Sequence, residues 1–161
     1  MTKILGIDPG FSGALALYDT EYPNTVTLVE DMPVVKKTIG KSKRDRLDMP
    51  GLEKFLKDNH VDVVVIEDPG TRPRQSGTMA FGHALGCVHG LLFSLRIRFE
   101  EIVPTKWKNA LRVPKDKKEA VSRAEELFPA CREMFRGPRG GLMDGRAEAA
   151  MIALYGAQNF I

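Results

Sequence analysis

At 161 residues, 43% hydrophobic and 28% charged, the chain is long enough to bury a sizeable core, and one globular domain over 1–161 is expected. Its two cysteines, Cys87 and Cys131, have no C-x-x-C spacing, which argues against a zinc ribbon or a disulfide framework. The formal net charge is only +3, yet the basic residues are clustered, and that unevenness favours a polyanion as partner.

In chain order, "KILGID" (3–8) and "SGALALYD" (12–19) read as strands joined through Pro9-Gly10, and "TVTLVED" (25–31) as a third in an antiparallel meander. Residues 32–47 are basic and contain Gly and Pro, so a mobile loop is expected there. A helix should start after Asp48 as N-cap, with Pro50 in its first turn and Leu52, Phe55 and Leu56 on one face. "DVVVIED" (62–68) suits a parallel strand buried on both faces.

From Ser76 to about Leu95, apolar residues recur at helical spacing beside Gly77, Gly82, Gly86 and Gly90, a small-residue face that predicts a close neighbour. "IRFEEIV" (97–103) reads as a fifth strand, and 115–128 and 144–160 as helices. This order predicts an α/β fold with a mixed sheet, in which the first strand can lie beside the fourth. No apolar run approaches a membrane span, and "MTKILGIDPG" lacks the apolar core of a signal peptide. A cytoplasmic protein without a membrane partner is expected.

The basic clusters supply candidate phosphate contacts: Lys36, Lys37, Lys41, Lys43 and Arg44 in the first, Arg72 and Arg74 in "TRPRQSG", and Lys106 and Lys108 in 106–118. Arg132, Arg136 and Arg139 form a fourth. His83 and His89, six apart, do not share a helix face and are not expected to bind metal. Phe81 and Trp107 are expected in the core.

Acidic residues mark strand and helix ends. Asp8 and Glu67 each close an apolar strand, and Asp144 and Glu148, four apart, share a face at the start of the last helix. If the first and fourth strands are neighbours and that helix crosses their ends, all four converge. Two carboxylates about 5 Å apart repel by roughly 3 kcal/mol at an effective dielectric near 20, so such a cluster needs cations. Oxygen-only donors point to Mg²⁺, with Mn²⁺ as substitute, and a pair of ions suits phosphodiester hydrolysis.

"ILGIDPG" with "SGALA" after its acid, then "VVVIED", then "DGRAEAAMIALYG", with "VPTKWKNAL" and "KDKKEAV" at matching intervals, resembles the RuvC-type Holliday junction resolvases, particularly their phage and organellar branch. The resemblance implies a ribonuclease H-like fold with a five-stranded mixed sheet, three strands antiparallel and two parallel. It also implies a homodimer acting on four-way DNA junctions, with carboxylate-bound Mg²⁺ nicking two strands symmetrically, and a phage or bacterial cytoplasmic setting. By position, the metal-binding and catalytic carboxylates are Asp8, Glu67, Asp144 and Glu148, and Lys108 and Lys118 lie near the scissile phosphate. Bacterial members space the last two ligands by three residues with Asp second; here the spacing is four and the second is Glu148.

Other readings stay open. An acid and glycines in a β-hairpin also open the lobes of the sugar-kinase, Hsp70 and actin ATPases, but two lobes are needed there, and no nucleotide cofactor is expected here. A non-cutting junction-binding module would have its carboxylates repel DNA phosphate. A ribonuclease H-like nuclease acting on flaps, other branched DNA or structured RNA is the main alternative.

Overall fold

The computed structural model describes residues 1–70 and 77–161. In chain order it contains β1 (Lys3–Asp8), β2 (Ala14–Asp19), β3 (Val26–Asp31), β4 (Val34–Ile39), β5 (Ser42–Leu47), α1 (Met49–Asp58), β6 (Val63–Glu67), α2 (Thr78–Leu95), β7 (Arg98–Ile102), α3 (Pro104–Ala110), α4 (Lys117–Leu127), a 3₁₀ helix (Pro129–Phe135) and α5 (Asp144–Asn159). The main sheet has the order β3-β2-β1-β6-β7: β1 pairs antiparallel with β2, β2 antiparallel with β3, and β1–β6 and β6–β7 are parallel. This is the expected mixed α/β sheet, with the strand at 62–68 beside the first.

Strand alternation divides the core in two. Ile4, Ala14, Ala16 and Val65 face α5, α4 and the 3₁₀ helix, while Leu5, Ile7, Leu15, Val64 and Ile66 face α1 and α2. On the first side α5 lies almost on the backbone of β1: a Cβ at Gly6 would sit 2.1 Å from the Ala149 carbonyl oxygen and 2.5 Å from the Ala153 nitrogen. The buried, alanine-rich face of α5 is the other half of that fit. On the second side Asp48 caps α1 as expected, accepting from the Gly51 N–H at 3.2 Å.

Three expectations are corrected. Residues 32–47 are ordered as the β4–β5 hairpin, paired from Val34–Leu47 to Ile39–Ser42 with Gly40 at φ +62° in the turn. Gly first in a two-residue turn is the II′ arrangement that matches strand twist, and buried Leu47 and partly buried Val34 pin the base to the core. The cationic side chains hid this strand pattern. Second, no neighbour presses on the α2 glycines: a Cβ at Gly82, Gly86 or Gly90 would meet nothing within 4 Å among the described residues. Third, α2, at 18 residues and mean hydropathy 1.3, is long and apolar enough to cross a membrane by length and composition alone. Ala84, Val88 and Leu92 bury its other side in the second core. Ser76 lies outside the described residues.

Candidate active site

Asp8 and Glu67 are the last residues of two parallel neighbours, one position beyond the Ile7–Ile66 pair. Alternation puts both on the side of Ile4, Gly6 and Val65, the side that α5 covers. Asp144 opens α5 and Glu148 follows one turn later. Glycines allow the approach: a Cβ at Gly145 would lie 2.7 Å from the Ser12 carbonyl oxygen and 3.4 Å from Asp8 Oδ2. The same end of α5 is tied to the end of β3, where Arg146 Nε and Nη2 bind the two Asp31 carboxylate oxygens at 2.7 and 2.8 Å.

The charges act on one another. Asp8 is pushed up to about 7, first by burial and then by Glu148 and Glu67, with a smaller push from Asp144 and partial relief from the Gly10 N–H. Glu67, 8% exposed, is also raised by burial and by Glu148, against the lowering effects of Trp107 and Lys108. Asp144 is held down by its hydrogen bond to Lys117. Each remaining carboxylate has a partner: Lys117 Nζ is 2.8 Å from Asp144, Lys108 Nζ is 2.9 Å from Glu148, and the Trp107 indole N–H donates to Glu67 Oε2 at 2.6 Å.

Consecutive residues of α3 therefore hold two carboxylates from different elements. Lys108 Nζ also sits 5.1 Å from the centre of the Trp107 ring. One Glu67 oxygen is committed to the indole, which fixes the rotation of the carboxylate and leaves Oε1 for another partner.

Among the described residues, no three acidic, histidine or cysteine side chains are gathered closely enough to grip one ion as they stand. The donors nevertheless fit a hard divalent cation in chemistry. All are carboxylate oxygens, and Asp8 is disfavoured as an anion by burial and then by Glu148 and Glu67, a penalty that a bound cation would relieve. Asp8, Glu67, Asp144 and Glu148 would be the groups to hold it.

Lys108, expected near the scissile phosphate, is paired with Glu148. Lys117 pairs with Asp144, whereas Lys118, also expected near the scissile phosphate, is exposed, and its backbone N–H is bound by Asp116 at 2.9 Å. Sequence reasoning missed the roles of Trp107, Lys117 and Arg146. Trp107 is in the core as expected, but its polar edge finds Glu67, and the only signal was a lone Trp beside Lys108 in "KWK". Phe81 is half-buried on α2.

The basic residues share the site's edge of the sheet. Asp8 pairs with Ala14 and Ala14 with Asp31, so β3 ends level with Asp8, and the β4–β5 hairpin rises from there. Its Lys36, Lys37, Lys41, Lys43 and Arg44 are exposed, as is Lys106 on α3, which follows the end of β7. Arg72 and Arg74 lie outside the described residues.

Neither a protein-family model nor a curated protein sequence matches the chain. Solved structures do. RuvC of T. thermophilus in complex with a Holliday junction substrate matches with TM-score 0.64 at 18% identity, over 98% of this chain and 96% of that one. A structure titled Thermus thermophilus RuvC matches with TM-score 0.57 at 18% identity over the same shares. Fowlpox virus resolvase in complex with Holliday junction DNA matches with TM-score 0.52 at 14% identity, over 99% of each chain. The fold is that of the RuvC-type resolvases, and it extends over nearly the whole chain.

Proposed function

We propose that this chain is a divalent-metal-dependent endodeoxyribonuclease that resolves four-way DNA junctions by paired symmetric nicks. The observation that carries this reading is the convergence of Asp8, Glu67, Asp144 and Glu148 from β1, β6 and α5 at one edge of a RuvC-like sheet. That edge is flanked by the exposed cations of the β4–β5 hairpin and by Lys106. The solved proteins that share this fold include a RuvC and a viral resolvase, each bound to Holliday junction DNA.

In this reading the four carboxylates hold Mg²⁺ or Mn²⁺, two ions per site. When bound, such ions supply Lewis acidity at the attacking and leaving oxygens of a phosphodiester. Trp107 keeps Glu67 in one orientation, and the Arg146–Asp31 pair keeps the start of α5 against the sheet. Lys108 and Lys117, already beside the carboxylates, are placed to bind the non-bridging oxygens of the phosphate. Lys37, Lys41, Arg44, Arg72, Arg74 and Lys106 would neutralise phosphates further along the arms.

A substrate with two-fold symmetry calls for a two-fold enzyme. The open face of α2, with Gly82, Gly86 and Gly90 in a row and Met79 and Phe93 90% and 72% exposed, is the surface we assign to a second copy of this chain. Cleavage of synthetic substrates of matched length tests the whole reading. Paired nicks at symmetric positions in a four-way junction, with flap DNA and structured RNA cut at least tenfold more slowly, are expected. Preferential cutting of the flap or the RNA would favour the other nuclease reading.

A further inference from the structure

The β4–β5 hairpin has two unlike faces. Cross-strand pairing of Val35 with Arg46, Lys37 with Arg44 and Ile39 with Ser42 puts Lys37, Arg44 and Arg46 on one side. No acid shares that side. The other side carries Val34 and Leu47 at its base, then Lys36 opposite Asp45, then Thr38 opposite Lys43. Val34 and Leu47 pack into the core, so this second side is turned toward the body at its base; beyond it Lys36 and Lys43 are exposed, and Lys36 is already neutralised by Asp45 at 2.5 Å.

The outward side keeps a like-charged pair directly opposed, Lys37 across from Arg44, an arrangement that weakens a two-stranded ribbon. A lone ribbon is marginal to begin with. Retaining that repulsion on an exposed hairpin makes sense if a polyanion relieves it.

We propose that the ribbon lays its Lys37–Arg44–Arg46 side along the phosphate backbone of one duplex arm of the DNA, and so directs that arm to the carboxylate edge from which the hairpin rises. Strands of six residues reach about 20 Å, against one phosphate per strand for about every 3.4 Å of duplex axis. A run of several phosphates thus lies within reach of one side of the ribbon. Contact is specific to a side, so cations at neighbouring sequence positions are not equivalent. The assignment rests on DNA being the substrate.

Two double variants test it, each removing two cations from the same hairpin: Lys37→Ala with Arg44→Ala, and Lys36→Ala with Lys43→Ala. Binding to a plain duplex and to a four-way junction is measured across a salt series. Counterion release gives a slope of about −0.9 per phosphate contact, so the outward pair should flatten the plot of log affinity against log salt by roughly 2 units on both DNAs. The inward pair should change the slope by less than about half of that.

A footprint on the unsubstituted protein checks the same point: bound duplex should shield Lys37 from acetylation more than Lys36 or Lys43. Equal slope losses in the two variants, or equal shielding of the three lysines, would overturn the assignment while leaving the nuclease reading intact. Salt-sensitive, side-specific binding without any nicking would do the reverse. Failure of the unsubstituted protein to bind DNA would overturn both.

Discussion

Two helices, α2 and α5, each carry more than one glycine, and they use them in opposite ways. On α5, a Cβ at Gly156 would sit 2.4 Å from Val65 Cγ2 and one at Gly145 2.7 Å from the Ser12 carbonyl oxygen; β1 contributes Gly6 to the same contact. On α2, Gly82, Gly86 and Gly90 face open space. In sequence the two stretches look alike, apolar and small. The difference is that the α5 glycines bring a helix close enough to the sheet for Asp144 and Glu148 to reach Asp8, whereas the α2 glycines leave an apolar face with no partner among the described residues. The first set belongs to the construction of the site, and the second is the one we assign to assembly with a second copy of the chain.

The largest expected effect comes from spoiling the first fit. Gly6→Ala directs a methyl at the Ala149 carbonyl and the backbone of Ala153, groups with little room to retreat. Overpacking of this kind costs about 3 kcal/mol or more when backbone must move, so chemical denaturation should show a clear loss of stability or no folded protein at all. Gly86→Leu is the counterpart. Its Cβ meets no atom within 4 Å and it replaces a poor helix former, so the monomer should be at least as stable. Sedimentation should nevertheless show monomers where the unsubstituted protein sediments as a dimer. An unchanged dimer would remove α2 from the interface.

Trp107→Phe comes next. Phe retains most of the packing and deletes the N–H that holds Glu67. Groups that orient metal ligands typically cost roughly 10–100-fold in metal affinity or activity when removed. The Mn²⁺ concentration needed for half-maximal nicking should rise by about that factor, and junction binding without metal should stay the same. Trp107 is the only tryptophan, so one indole N–H signal in an NMR spectrum reports the bond directly and should move in Glu67→Gln.

A smaller effect concerns stability in the absence of metal. Asp8 has a folded value of about 7 against 3.8 when free, so the fold favours its neutral form. Whatever stability that contributes is complete below pH 3.8 and is lost as pH rises through 7. Asp8→Asn should therefore raise the metal-free Tm at pH 8, by the equivalent of about 1–2 kcal/mol once solvent screening is allowed for, and change it little at pH 4. An equal gain at both values would mean that Asp8 is not under electrostatic pressure.

Much of this was readable from sequence where one physical signal dominated. The Val and Ile run ending in Glu67 marked a parallel strand able to lie beside the apolar strand ending in Asp8, and the four-residue step from Asp144 to Glu148 put both on one helix face. The β4–β5 hairpin was lost because its alternation is written mainly in Lys and Arg, with apolar residues only at its base and turn. α3 was lost because a helix of seven residues that begins at Pro104 has no room for a periodic pattern. The indole bond to Glu67 depends on a meeting of β6 and α3, 40 residues apart, which local pattern does not encode.

The most direct test compares the unsubstituted protein with Asp8→Asn and Glu67→Gln on a four-way junction labelled in turn on each strand, in Mg²⁺. The unsubstituted protein should give paired nicks at symmetric positions, and both variants should bind the junction with similar affinity while nicking it at least 100-fold more slowly. Near-normal nicking by either variant would remove that carboxylate from the site, and an intact junction after incubation with the unsubstituted protein would contradict the central claim.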